Sequence, residues 1–156
     1  MSTEVERLEA QLKAAFEGPA WHGPSVLEAL QGVAPERAAA HPVVGAHSIW
    51  ELVLHLGGTY RLVLGRLQGQ TAPFTPAEDW PSVPETTAAN WRDTVGALHE
   101  LNRRLRDAVL RFDERRLDQP LVPEPPYPAY TQFIGITQHD LYHAGQIAIL
   151  KKARSG

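Results

Sequence analysis

The amino-acid sequence predicts an all-α protein built as a four-helix bundle. Three observations carry that reading. Apolar residues recur at three-and-four spacing in four long segments, the period of an amphipathic helix. No segment alternates with period two over the length of a strand. Proline clusters fall between the periodic segments, with four prolines from Gln70 to Pro84 and five from Asp118 to Pro128. Such stretches cannot be helix interior or central strand.

The elements follow in order. Thr3 and Glu6 form a capping box, in which each residue satisfies the other's backbone N–H. Val5, Leu8, Leu12, Ala15 and Phe16 then mark the first helix, ended by Gly18-Pro19. A turn at Trp21-His22-Gly23-Pro24-Ser25 leads to a short helical piece through Val26, Leu27 and Leu30. Pro35 suits the first position of another short turn. Ser48 and Glu51 make a second capping box, opening a strong helix to about Leu67 with Gly69 as its stop. Ile49, Val53, Leu56, Tyr60, Val63 and Leu67 form its stripe, and His55 sits on the edge. The long connection after Gln70 reads as a crossover or a functional loop. The third helix runs from about Thr86 to Phe112, with Trp91, Val95, Leu98, Leu105, Val109 and Phe112 near a 3.5-residue repeat. Its alternating arginines and carboxylates, Arg103 and Arg106 among them, read as a solvated face. The last helix spans about Thr131 to Lys152, with Lys151, Lys152 and Arg154 at its negative dipole end.

Composition narrows the function classes. The 156 residues are read as one domain, 1–156, long enough to bury a core. The formal net charge of −3 gives no electrostatic grip on nucleic acid. With no cysteine, disulfides, thiolate ligands and a cysteine nucleophile are excluded. The acidic, polar N-terminus is not a signal peptide. No apolar run approaches the ~20 residues of a membrane span. A cytoplasmic protein without membrane or nucleic-acid partners is expected.

The chemistry concentrates in Gln138-His139-Asp140-Leu141-Tyr142-His143-Ala144-Gly145-Gln146. Residues four apart on a helix stand one above the other, so His139 and His143 can grip one metal ion. With His139 at zero, His143 lies at about 40°, Ile136 at about 60°, and Gln132 and Leu150 at about 20°. That largely apolar face points into a bundle, where such sites are built. No His, Cys, Asp or Glu follows His143, so a third ligand must come from upstream. His55 is the best partner. Three neutral imidazoles with an open position suit catalytic zinc, and also nickel or ferrous iron. Zinc and nickel are the expected ions, with iron and manganese behind them. Glu51 and Asp140 are candidates to orient the imidazoles. Asp140, Gln146 and His22 are the catalytic candidates, with Gln146 or Tyr142 reaching the open position. A peptidase using Asp140 as base is disfavoured, since Asp is one methylene shorter than the usual Glu and no third ligand lies downstream.

Ser48-Ile49-Trp50-Glu51-Leu52-Val53-Leu54-His55 and His139-Asp140-Leu141-Tyr142-His143-Ala144-Gly145-Gln146-Ile147, in this order, resemble the DinB/YfiT-like superfamily. Trp21-His22-Gly23-Pro24-Ser25 is similar to one branch of it. The resemblance implies a bundle with a long crossover between helices 2 and 3. It implies a three-histidine metal site mapping onto His55, His139 and His143, and a homodimer. It further implies a metal-dependent enzyme of the thiol transferase kind, using a low-molecular-weight thiol; the reading taken is a thiol-dependent transferase or a hydrolase acting on a small electrophile. The alternative is a non-catalytic metal-binding or structural bundle.

The remaining aromatic and histidine residues have plainer readings. His41 and His99 are expected to face solvent. His47 is a helix-entry residue or lies over the site mouth. Trp50, Trp80 and Trp91 are read as packing residues. Tyr127 and Tyr130 are placed at the site entrance.

Overall fold

The computed structural model describes residues 1–153. It is all-helical, and no named strand occurs among the described residues. Four long helices are α1 (Glu4–Glu17), α4 (Ile49–Leu67), α6 (Ala88–Leu110) and α7 (Ala129–Lys152). Three short ones are α2 (Val26–Leu30), α3 (Pro35–Ala39) and α5 (Pro76–Asp79). Arg154, expected at the end of the last helix, lies outside the described residues.

Both expected capping boxes form, Thr3 with Glu6 and Ser48 with Glu51. Two more occur, Ser25 with Glu28 before α2 and Thr75 with Glu78 before α5. The second of these places a helical turn inside a connection expected to hold no regular element. Pro76 stands at the first position of that turn, where the missing N–H costs nothing.

The long helices close on one another in a ring: α4 packs on α6 and α7, and α1 packs on both as well. Leu12, Phe16, Trp50, Leu56, Tyr60, Leu98, Leu105, Phe133 and Ile147 are buried between them. Because α7 also touches α2, it buries more than one side, including Phe133, Ile136, Ala144 and Ile147. The apolar stripe of α6 is interrupted at Asn102, which is buried with no hydrogen bond to its side-chain amide. The mixed-charge face is only partly solvated. Arg103 spans Glu100 and Asp107 on the exposed surface, whereas Arg106 reaches Glu9 at 2.8 Å and Glu17, joining α6 to α1.

One close approach places the connection between α4 and α6. A Cβ on Gly58, midway along α4, would stand 2.5 Å from the Glu78 carbonyl oxygen. Glycine at 58 therefore lets α5 lie flat against α4, beside His55.

Candidate metal centre

α4 carries His55 two turns in from its Ser48 cap, and α7 carries His139 and His143 one turn apart. The fold brings the three together: one ligand atom from each lies within 4.8 Å of the others. Nε2 of His139 is 2.8 Å from Nε2 of His55 and 3.1 Å from Nε2 of His143. Ligand atoms around one tetrahedral zinc, ~2.0–2.1 Å from the ion, stand roughly 3.3 Å apart. The two spacings from His139 are slightly shorter than that, and all three atoms lie within 4.8 Å of one another.

The outer nitrogens are held. Nδ1 of His55 donates toward Asp79, with the carboxylate Oδ1 at 2.9 Å and the backbone carbonyl at 3.0 Å. Nδ1 of His143 donates to Oε1 of Gln146 at 2.6 Å. Each neutral ring therefore turns an Nε2 lone pair inward, as a metal-ligating histidine does when its other nitrogen is bonded. Both lone pairs aim at Nε2 of His139, whose N–H can satisfy only one of them. Nδ1 of His139 is buried and has no partner. Three converging nitrogens with at most one proton among them fit a divalent cation better than a hydrogen-bonded core.

Electrostatics agree. Burial, with the neighbouring His143 and His55, pushes the His139 pKa down to about 3. Burial also lowers that of His143 against the opposing bond from Gln146. Rings so resistant to protonation keep their lone pairs free for a metal.

Trp80, directly after α5, stacks on His55 with ring centroids 4.0 Å apart and planes 4° from parallel. His47 stacks on its far side at 3.6 Å. Trp80 thus covers the site, where only packing was expected, while Trp50 and Trp91 are core residues. Next to His143 opens a pocket of about 550 Å³, walled by Val43, Ala46, Leu52, Trp80, Ile149 and Leu150.

Several expectations need correction. Glu51 does not orient His55; it bonds the Ser48 backbone and His41. Asp140 does not orient an imidazole either, for it is fully buried and its Oδ1 accepts the Tyr60 hydroxyl at 2.8 Å. Burial pushes the Asp140 carboxyl up to about 8, against the Tyr60 bond. Burial, then Asp140, pushes the Tyr60 hydroxyl well above its ordinary value. Gln146 lines the pocket, but its amide oxygen is engaged by His143. Tyr142 is mostly exposed and sets its ring edge against His143 at the pocket mouth. His22 is exposed beside the exposed Trp21 and is not among the residues of the triad or its pocket. His47 lies at the mouth. His41 and His99 are exposed, as expected. Tyr127 and Tyr130 line no part of the pocket; Tyr130 stands roughly 13 Å along α7 from His139.

The residue that sequence reasoning missed is Asp79. A signal for it existed in Thr75-Pro76-Ala77-Glu78, a capping box with proline at the first helical position, ending on Asp79.

A family described as the DinB superfamily matches residues 20–147, most of the chain and all three histidines. No curated protein matches the chain, and no solved structure does. The chain belongs to the DinB superfamily.

Proposed function

We propose, with membership of the DinB superfamily as premise, that the chain is a metal-dependent enzyme. It would act as a thiol-dependent transferase or a hydrolase on a small electrophile, at His55, His139 and His143. The observation that carries this reading is the convergence of three neutral imidazoles beside an open pocket. A divalent ion, zinc or nickel ahead of iron or manganese, would supply a Lewis acid that lowers the pKa of a thiol or water.

The chain's own residues do the remaining work. Three neutral ligands leave the ion's charge undiminished. Asp79 and Gln146 hold two of the rings in the tautomer that presents Nε2. Trp80 and His47 wall off water on the α5 side. With no cysteine in the chain, the attacking sulfur or oxygen comes from a low-molecular-weight thiol or from water. A new bond to the electrophilic carbon forms as the leaving-group bond breaks, and the nucleophile's proton passes to solvent or to the leaving group.

The ring of contacts among α1, α4, α6 and α7 supports a four-helix bundle whose crossover is the segment carrying α5. A cytoplasmic homodimer completes the reading; no helix among the described residues is long and apolar enough to cross a membrane.

A second, non-catalytic reading has one observation in its favour. Asp140 is turned away onto Tyr60, and the Gln146 amide oxygen is taken by His143, so neither candidate is free to move a proton. Conjugation of 1-chloro-2,4-dinitrobenzene to several low-molecular-weight thiols decides between the two. Zinc- or nickel-loaded protein should accelerate at least one reaction, and His139→Ala should not. Rates equal to buffer with every thiol would leave the non-catalytic reading.

A further inference from the structure

We propose that the pocket beside His143 selects a substrate whose non-reacting part is uncharged and apolar, and discriminates against anionic ones. This deepens the metal-site reading and rests on it. The cavity, about 550 Å³, is within the size range of small-molecule sites. Its walls are aliphatic or aromatic, and no Lys, Arg, Asp or Glu lines it among the described residues. Its polar groups, His47, Tyr142, His143 and Gln146, gather on the side nearest the triad. A ligand would therefore place its reacting polar group at His143 and its remainder against Leu52, Ile149 and Leu150.

Charge works in the same direction. A carboxylate or phosphate held away from the metal, against Leu52, Ile149 and Leu150, would lose water with no side-chain cation to receive it, which is costly. His47, at the wall, has its Nδ1 3.6 Å from Glu51, which would compensate a positive charge there. Asp79, directed at His55 from behind Trp80, adds negative potential. Ile149, 67% exposed, lines the pocket together with the exposed Val43 and Tyr142, and such a shared apolar surface marks a ligand-binding groove. An apolar ligand would cover it.

The test uses three hydroxamates as probes, sharing one metal-binding group and differing in the tail: acetohydroxamate, phenylacetohydroxamate and succinic monohydroxamate. Zinc content of the reconstituted protein is measured first, then affinity by calorimetry. The phenyl tail should tighten binding on the order of tenfold over acetohydroxamate, and the succinyl tail should not tighten it. Ile149→Lys should remove the phenyl gain over acetohydroxamate and favour the succinyl tail, with zinc content unchanged. A succinyl tail that binds the parent as well as the phenyl tail overturns the proposal. So does a phenyl tail that gains nothing, as when a second copy of the chain covers the mouth, in which case Ile149→Lys would turn a dimer into a monomer on sizing. Protein that holds no zinc defeats the metal reading and this inference together, an outcome told apart by the metal analysis alone.

Discussion

His139 and Asp140 are neighbours in sequence and opposites in circumstance. About 100° of helix rotation separates them. His139 turns to the α4 face that carries His55, where Asp79 and Gln146 each hold one of the other two rings. Asp140 turns to Tyr60, with its second oxygen buried and unpartnered. Two polar residues of one motif thus serve different ends. One offers lone pairs to a ligand; the other is a carboxyl that burial keeps protonated and that ties α7 to α4. Polarity inside a helical core does not by itself identify a functional group. The partners on the far side of each group do.

The sharpest way to break this comparison is to swap the damage. His139→Ala should abolish stoichiometric metal binding while thermal unfolding of the metal-free protein changes little. Asp140→Ala should keep the metal and lose about 3 kcal/mol, from an orphaned Tyr60 hydroxyl and a buried void. Chemical denaturation and metal analysis of both variants check it; loss of metal in Asp140→Ala with stability intact would merge the two regions.

Next in size is the outer partner. Asp79→Ala should weaken metal affinity by about 10- to 100-fold, the usual range for a residue bonded to a ligating histidine. Competition with a chromophoric chelator reads it. Gly58→Ala should act in the same direction by lifting α5 off α4, since its Cβ would meet the Glu78 carbonyl.

The smallest effect is in pH. Asp140, raised to about 8 from 3.8, favours the folded state most at low pH, and that contribution is lost as pH rises toward 8. His139, lowered to about 3 from 6.5, has the opposite sign and costs stability as pH falls below 6.5. The two slopes oppose each other between them, and Asp140 acts alone above 6.5. Metal-free protein should lose up to about 2 kcal/mol between pH 6.5 and 8. Asp140→Asn should flatten that loss, and an unchanged slope would contradict a buried protonated carboxyl.

The sequence made some of this legible and hid the rest for physical reasons. The four long helices were readable from their period, reinforced by capping boxes at α1 and α4, and His55, His139 and His143 because helical geometry projects them onto inward faces. His22 was a weaker candidate: nothing about a turn fixes where its side chain points, and here it points to solvent. Asp79 and Trp80 were hidden because a proline-rich connection has no periodicity to read. Their placement depends on the long-range contact of Glu78 with Gly58. Asn102 fell at the one position where the α6 stripe breaks, and only packing against α4 shows that it is buried.

The central claim is that a residue of α4 completes a site begun on α7. Zinc titration of the metal-free parent and of His55→Ala, followed by calorimetry, tests it most directly. One ion per chain in the parent and none held at micromolar zinc by His55→Ala is the predicted result. Equal, tight binding by both, or none by the parent, would contradict it.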